Sequence, residues 1–437
     1  MEALSIIGII IALLLMCFMI YKGVNIFVSA IIAAVIMALT GGISLNTALR
    51  TNYMEGFVGF VKSNFLVFVS GALLGKVYES TNGAKSIARM IVKGAGPKFA
   101  AVSIPLAVGL MTYGGIQGFV LCFAIFPIAL EVYRAADIPR RFIPAAIVMG
   151  TCTWSSFGPY NPQVPNVALA NAIGTQLSAG AVIGMIVVVF EIFISFFALN
   201  FLIKRAKAAG EHFVAKDFDV FEDEAKLPNG IISILPLIFI LIIINIKSGG
   251  KAIMPVEFGV FLGAVLAYLL MFKFRTEKGA ELKDITAAIQ NAITAVVATS
   301  SVVAVGSVAK GVAGWKPMIS GLTSIPGPPL VSAAIGSILI GVLCASASGG
   351  AALIGPVFAP IYTAQGVALG ALHRVILTAA HAGGTLPNNG TVNLNILGIA
   401  KESYKSSYGP MFITVTCTVL VSTVLSVILF TLFPGLA

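Results

Sequence analysis

Residues 381–393 read HAGGTLPNNGTVN, set between the apolar runs LGALHRVILTAA (369–380) and LNILGIA (394–400). Glycines, a proline and asparagines interrupt what would otherwise be one long apolar helix. WSSFGPYNPQVPN (154–166) repeats the pattern in the first half of the chain. In hydrocarbon every backbone N–H and C=O has to be satisfied, so irregular backbone survives there only where it is packed in protein or lines an aqueous cavity. These two stretches therefore decide both the fold and the place to look for a site.

The setting is a membrane. The chain has 437 residues, 58% of them hydrophobic and only 10% charged, with a mean hydropathy of +1.01. A soluble domain keeps about a quarter of its residues charged. Runs such as LSIIGIIIALLLMCFMI (4–20) and FGVFLGAVLAYLLMF (258–272) approach the ~20 residues a spanning helix needs. The alternation of a membrane β-barrel is absent. The first run lacks a basic flank, carries Glu2 and continues past Lys22, so it reads as a retained helix and not as a cleaved leader. The net charge of +10 sits in short loops, as the membrane bias towards Lys and Arg requires, and nucleic acid is excluded as a partner. The five cysteines lie in apolar segments without metal-ligand spacing, so no metal or disulfide is expected.

A repeat divides the chain. Gly96-Pro97 recurs as Gly327-Pro328, Gly114-Gly115 as Gly349-Gly350, Arg141 as Arg374, Pro159-Tyr160-Asn161 as Pro387-Asn388-Asn389, and Gly180 as Gly409. Five matches in order, with nearly constant offset, define two repeats, 1–203 and 231–437, joined by the charged linker 204–230. The fold class is an all-α polytopic membrane protein. In the first repeat the pattern predicts helices near 4–20, 24–40 and 57–75, an interfacial segment at 86–94, and two short arms, 98–113 and 118–133. A helix from about 140, broken at 155–166, and a last helix at 178–203 complete it. Arms of 16 residues rise about 24 Å, short of a full span, which favours a re-entrant hairpin. Five net crossings per repeat make the repeats inverted. With the linker inside, twenty of the 27 Lys and Arg lie on the inner side, leaving Arg50, Lys62, Lys247, Lys251, Lys310, Lys316 and Arg374 outside. The amino and carboxyl termini are then both outside, in the cytoplasmic membrane of a prokaryote.

Inverted repeats with matched broken helices are the pattern of a secondary transporter. Four polar breaks should meet near the midplane: the hairpin tips MTYGGIQG (111–118) and ASASGG (345–350), and the two broken helices. The expected substrate contacts are Tyr113, Gly114, Gly115, Gln117, Ser155, Ser156, Asn161, Ser346, Ser348, Gly349, Gly350, Thr385, Asn388 and Asn389. Glycine lets backbone approach a ligand, half-helix N-termini attract a carboxylate, and hydroxyls and amides supply neutral partners. The breaks themselves hold no Lys or Arg, which suits a small anion of low charge. Serine and glycine at the second tip are equally at home as helix-packing residues. Glu191, in the apolar VVVFEIFISFF (187–197), and His381 are the candidates for carrying a coupling proton, against structural readings as a paired carboxyl and a hydrogen-bonded neutral imidazole. Arg141 and Arg374 read as interfacial anchors first and gate residues second. An enzyme would need a nucleophile–base pair or a metal cluster, and the three histidines lie in no such cluster.

With the breaks located, the sequence resembles the gluconate permease family of proton-coupled sugar-acid symporters, within the wider ion-transporter superfamily. The likeness spans nearly the whole chain and is strongest in GALLGKVYESTNGAKSIARMIVKGAG (71–96), DIPRRFIPAAIVMG (137–150) and CASASGGAALIGPVFAPI (344–361). It implies a two-repeat fold with paired hairpins, a central anion site, elevator-type movement and a homodimer. The sugar-acid members carry an acid at the first tip, where this chain has Tyr113-Gly114-Gly115. They also carry a His-Pro-Gly-Pro type sequence where this one reads SSFGPYNP, and an acid near the position of Asn389. Those departures point to a shorter, less hydroxylated acid such as 3-hydroxybutyrate or lactate. No cofactor is expected beyond a coupling ion, H⁺ or alternatively Na⁺. The alternatives are a Na⁺-coupled di- or tricarboxylate carrier from the same superfamily and a passive channel.

Overall fold

The computed structural model describes the chain apart from residues 1, 23, 97–98, 220–225, 249–250, 278, 345 and 387–388. Helices dominate, and the described strands are the two-residue pair Lys247–Ser248 and Lys251–Ala252. The first half runs α1 (Glu2–Tyr21), α2 (Ile26–Gly41), α3 (Thr47–Ser80), α4 (Gly83–Ala95), α5 (Ala100–Tyr113), α6 (Gly118–Ala135), α7 (Ile143–Cys152), the single turn α8 (Trp154–Phe157), α9 (Val164–Ile173) and α10 (Ala181–Ala208). The second half repeats this order. It contains α11 (Gly230–Ile243), α12 (Val256–Met271), α13 (Glu281–Gly311), α14 (Trp315–Thr323), α15 (Pro329–Cys344), α16 (Ala347–Thr363), α17 (Leu369–Gly383), α18 (Gly390–Asn393, continued by a π turn to Ile399) and α19 (Tyr404–Leu432).

The contacts repeat as well. α1 packs on α2 and α11 on α12; α5 lies along α7 and α15 along α17; α10 lies against α19. α3 and α13 share the most extensive contact in the molecule, each also touching the other half's second helix. Their length is the main departure from expectation. A helix was expected only at 57–75, because Arg50, Asn52 and Glu55 interrupt the apolar run, yet α3 takes in all three. Its first turns are wound as a π helix from Thr47 to Tyr53, where Asn52 lies beside Gly311 of α13. α10 likewise continues past residue 203 to Ala208, because Lys204, Arg205 and Lys207 are good helix formers that leave the hydrocarbon without breaking the ladder.

α10 shows how these sequences choose their buried faces. Glu191, Ser195, Leu199 and Ile203 recur every four residues and are buried, while Val189, Phe193, Phe197 and Phe201 stand exposed on the opposite side. The inward stripe is the small and polar one, and the outward stripe is the lipid-like one, the reverse of a soluble helix.

The linker is more than a tether. Arg140, in the turn that opens the first broken helix, is 4% exposed and holds the Asp219 carboxylate through Nε (2.7 Å) and Nη2 (2.5 Å). Its Nη1 donates to the Ala400 carbonyl and to Glu402, both at 2.7 Å. Arg141 pairs with Glu211, and Lys216 reaches the Lys401 carbonyl and Glu402. Residues 211–219 are thereby strapped across the linker-side ends of both halves. Burial alone would raise the Asp219 pKa, but the Arg140 guanidinium and the Lys216 N–H hold it below the usual carboxylate range. The bond from Arg141 holds Glu211 low in the same way.

Candidate substrate site

Each broken helix is closed by an asparagine in the same geometry. Asn161 donates to the Gly158 carbonyl (2.5 Å) and accepts from the Gln163 N–H (3.0 Å). Asn389 donates to the Gly384 carbonyl (2.5 Å) and accepts from the Thr391 N–H (2.8 Å). An amide at this point satisfies one carbonyl left by the ending helix and one N–H of the helix that follows, so the chain can stop and restart out of water. Asn166 and Asn395 follow as a second matched pair. Asn166 donates to the Asn161 carbonyl (2.8 Å), and Asn395 donates to the Thr391 carbonyl (2.9 Å) and to Cys122 Sγ (3.0 Å).

The first hairpin tip is bound to the first break. The Tyr113 hydroxyl donates to the Pro159 carbonyl, and its ring lies 6.2 Å from that of Trp154. Gln163 Nε2 donates to the carbonyls of Thr112 (2.5 Å) and Ile116 (3.3 Å). Gly115 has φ +112°, which a side chain rarely adopts, and a Cβ there would come within 3.1 Å of Pro162. Gly114 faces Leu237 of α11, and Gln117 lies across Gly71 of α3. The second tip meets the second break more closely still: a Cβ on Gly384 would lie 2.6 Å from the Ala347 nitrogen. There Ser346 caps α16 through the Gly349 N–H (3.2 Å) and contacts Ser348 Oγ (3.1 Å). Gly349 and Gly350 lie against Val302 and Gly341. Those contacts match the packing role that glycines and serines have between membrane helices.

The two breaks also meet each other. The rings of Phe157 and His381 stand edge to face, 5.7 Å apart. Arg374 corrects the sequence reading. Neither an interfacial anchor nor the counterpart of Arg141, it is 1% exposed and reaches from α17 into the first break. Its Nη1 donates to the Phe157 carbonyl (2.8 Å), and its Nη2 donates to Asn166 Oδ1 (2.8 Å) and the Leu177 carbonyl (3.1 Å). Nε has no partner among the described residues, and the guanidinium bonds to carbonyls and an amide without a carboxylate. Arg141 instead lies in the turn before α7, paired with the linker. The sequence placed no cation in either break because the cation comes from five residues inside the other half's helix. Beside it, His373 is fixed by Thr175 Oγ1 (2.6 Å) and Asn166 Oδ1 (3.0 Å).

The remaining predicted residues are accounted for individually. Ser155 and Ser156 are buried and donate to the carbonyls of Gly150 and Thr151, both at 2.6 Å. Thr385 contacts Thr416 Oγ1 at 3.0 Å. Asn388 lies outside the described residues. His381 is bonded through Nδ1 to the Leu377 carbonyl (2.7 Å), and since a carbonyl only accepts, that nitrogen carries the hydrogen. Glu191 lies away from the breaks, between α10 and α19. It is fully buried, accepting from Thr418 Oγ1 (2.8 Å) and Ser422 Oγ (2.6 Å). Those hydroxyls occupy the stretch of the second half that corresponds to Glu191. The absence of a second acid there, uninformative in the sequence, reflects the partner's role. Sequence reasoning missed Gln163, Asn166, His373 and Asn395. The spacing of Asn166 and Asn395, one residue longer than that of Asn161 and Asn389, was a readable signal.

The chain matches the profile described as GntP family permease over residues 3–433. It is 27% identical to the transporter YxjC of Bacillus subtilis (strain 168), covering 97% of this chain and 98% of that protein. It is 24% identical to the high-affinity gluconate transporter of Escherichia coli (strain K12), over 66% of this chain and 65% of that one. Its fold is similar to the crystal structure of the Alcanivorax borkumensis YdaH transporter, with TM-score 0.60 and 15% identity over 89% and 88% of the two chains. Homologous over nearly its full length to permeases, with two broken helices packed at its centre, the chain belongs to the GntP family of membrane permeases.

Proposed function

We propose that this permease is a secondary active importer of a small organic monocarboxylate, a hydroxy acid such as 3-hydroxybutyrate or lactate or a sugar acid, driven by cation symport with protons as the coupling ion. The observation that carries the reading is the meeting of the two breaks around Arg374. A single buried guanidinium bonded only to neutral acceptors leaves the region one positive charge, which one carboxylate balances. Serine and threonine hydroxyls and the α16 N-terminus then offer neutral donors to the rest of a hydroxylated acid. Relatives named as gluconate transporters support an organic acid.

In this reading the repeats are inverted, the hairpins are re-entrant, the linker is cytoplasmic, both termini are outside, and the central site moves as an elevator within a homodimer of the inner membrane. Glu191 carries the coupling proton, because its carboxyl is buried with hydroxyl partners only. His381 is the second candidate, with Nδ1 committed to its own helix.

Uptake of labelled 3-hydroxybutyrate into proteoliposomes tests this, under a proton gradient and separately under a Na⁺ gradient, with gluconate, lactate and citrate as competitors. Proton-driven accumulation blocked by short hydroxy acids is expected. Accumulation with Na⁺ alone, competed by citrate, would replace this reading with a Na⁺-coupled di- or tricarboxylate carrier. Equilibration without accumulation would make the protein a channel.

A further inference from the structure

A crevice opens on the face opposite the linker. α10 leaves the linker side and runs 28 residues, about 42 Å, to Ala181. At that far end, the loop after α9 and the segment from Asn245 to Glu257 enclose about 490 Å³. Ser63 and Asn171 line this mouth and also a deeper cavity of about 180 Å³ between α3, α9, α13 and α16, so the two are continuous. Ser63 lies halfway along α3, so the crevice reaches mid-height. Gly56 and Gly59 of α3 open its wall, and a Cβ on Gly59 would meet nothing within 4 Å. The inner end is lined by Val303 and Ala352, one residue from Val302, which packs against Gly349 at the second hairpin tip. Deep in this cavity stands Asn64, 4% exposed. Its Nδ2 donates to the Phe60 carbonyl (3.0 Å), and its Oδ1 has no partner among the described residues. A buried acceptor left unmade is costly, and here it faces a space that a ligand can fill.

We propose that this crevice is the substrate's passage from the face opposite the linker to the second hairpin tip, and that Asn64 Oδ1 accepts a hydrogen bond from the hydroxyl of a hydroxylated carboxylate on the way. The inference rests on the transporter reading above. The walls are of mixed charge, with Lys247 at the mouth bonded to Ser178 Oγ and with Glu55 and Glu257 along the sides. Selection here therefore falls to hydrogen bonding and size, and charge selection falls to Arg374.

The test is thiol labelling of Gly59→Cys with a charged, membrane-impermeant reagent, in sealed vesicles of each orientation. Lys226→Cys in the linker marks the opposite face, Leu66→Cys on the lipid-exposed side of α3 serves as an unreactive control, and the unsubstituted protein gives the native-cysteine background. Labelling of Gly59→Cys and Lys226→Cys from opposite sides, with the former slowed at least several-fold by 3-hydroxybutyrate, is expected. A folded Gly59→Cys protein unlabelled from the face opposite the linker would overturn the passage whatever the substrate, since labelling needs none. Gly59→Trp, monodisperse and with normal melting, should lose at least tenfold in uptake, and wild-type uptake by it would overturn the passage equally. Asn64→Leu should reduce the preference for 3-hydroxybutyrate over butyrate about tenfold. An unchanged preference, or a wild-type protein that takes up no hydroxylated acid, would overturn the hydroxyl contact and leave the labelling to decide the passage.

Discussion

Replacing Glu191 by Gln isolates proton coupling from folding. The side chain keeps its volume. Its remaining carbonyl oxygen accepts from Ser422 Oγ, while the new NH₂ turns to Thr418 Oγ1, whose hydroxyl has the Thr414 and Val415 carbonyls as other acceptors. One modest bond is exchanged for another, so the stability cost is about 0.5–1.5 kcal/mol, and the variant should fold. The transport consequence is far larger. Symport of one proton with one monovalent anion is electroneutral, so each unit of pH gradient, ~1.4 kcal/mol, sustains about a tenfold substrate gradient. Glu191→Gln binds no proton at this position and should equilibrate its substrate, with an accumulation ratio of about 1. Exchange of internal for external substrate, which needs no net proton movement, should continue. Proteoliposome uptake under an imposed pH gradient, run beside counterflow, reads both. Accumulation by Glu191→Gln near the wild-type ratio would refute the reasoning and transfer the coupling role to His381 or to another ion.

Three further outcomes are expected. Asp219→Asn removes two charge-assisted bonds from a guanidinium that keeps Glu402, weakening the strap by about 2–3 kcal/mol and raising tryptic cleavage within 204–219 by more than tenfold while the melting of the helices changes little. Because folding depresses the Asp219 pKa, the strap should be at full strength above the ~3.9 of a free aspartate and be lost as pH falls through the lower folded value, so cleavage by an acid-active protease should rise on acidification. Arg374→Gln leaves the Phe157 and Leu177 carbonyls without their cation and should cost at least ~3 kcal/mol in thermal unfolding, while Arg374→Lys should retain part of the stability and weaken substrate affinity. Gly383→Ala puts a Cβ 2.2 Å from the Ile338 carbonyl and 2.8 Å from the Val342 nitrogen, backbone that cannot turn aside, and should destabilise by ~1–3 kcal/mol. Gly409→Ala, with open space around it in α19, should be neutral or stabilising.

The sequence alone determined what depends on periodicity and on the cost of backbone in hydrocarbon. Long apolar runs had to be spans, and HAGGTLPNNGTVN and WSSFGPYNPQVPN had to be packed breaks. Asn161 and Asn389 could be read as a pair, because closing a broken helix without water needs an amide at that point in the chain. Composition and pattern were also enough to identify a permease fold. What the tertiary structure decided is how side chains distant in sequence meet. Arg374 looks like one more loop-side cation until α17 is laid against α8 and α9. Glu191 looks unpartnered until α19 brings Thr418 and Ser422 across a gap of more than two hundred residues, and Asn64 looks like an ordinary polar residue until the space beside its Oδ1 is seen. The physical reason is that local pattern reports which face of a helix avoids lipid. Which partner satisfies a buried polar group depends on helix packing, and two nearly equal repeats can be packed together in many ways that leave the pattern of each unchanged.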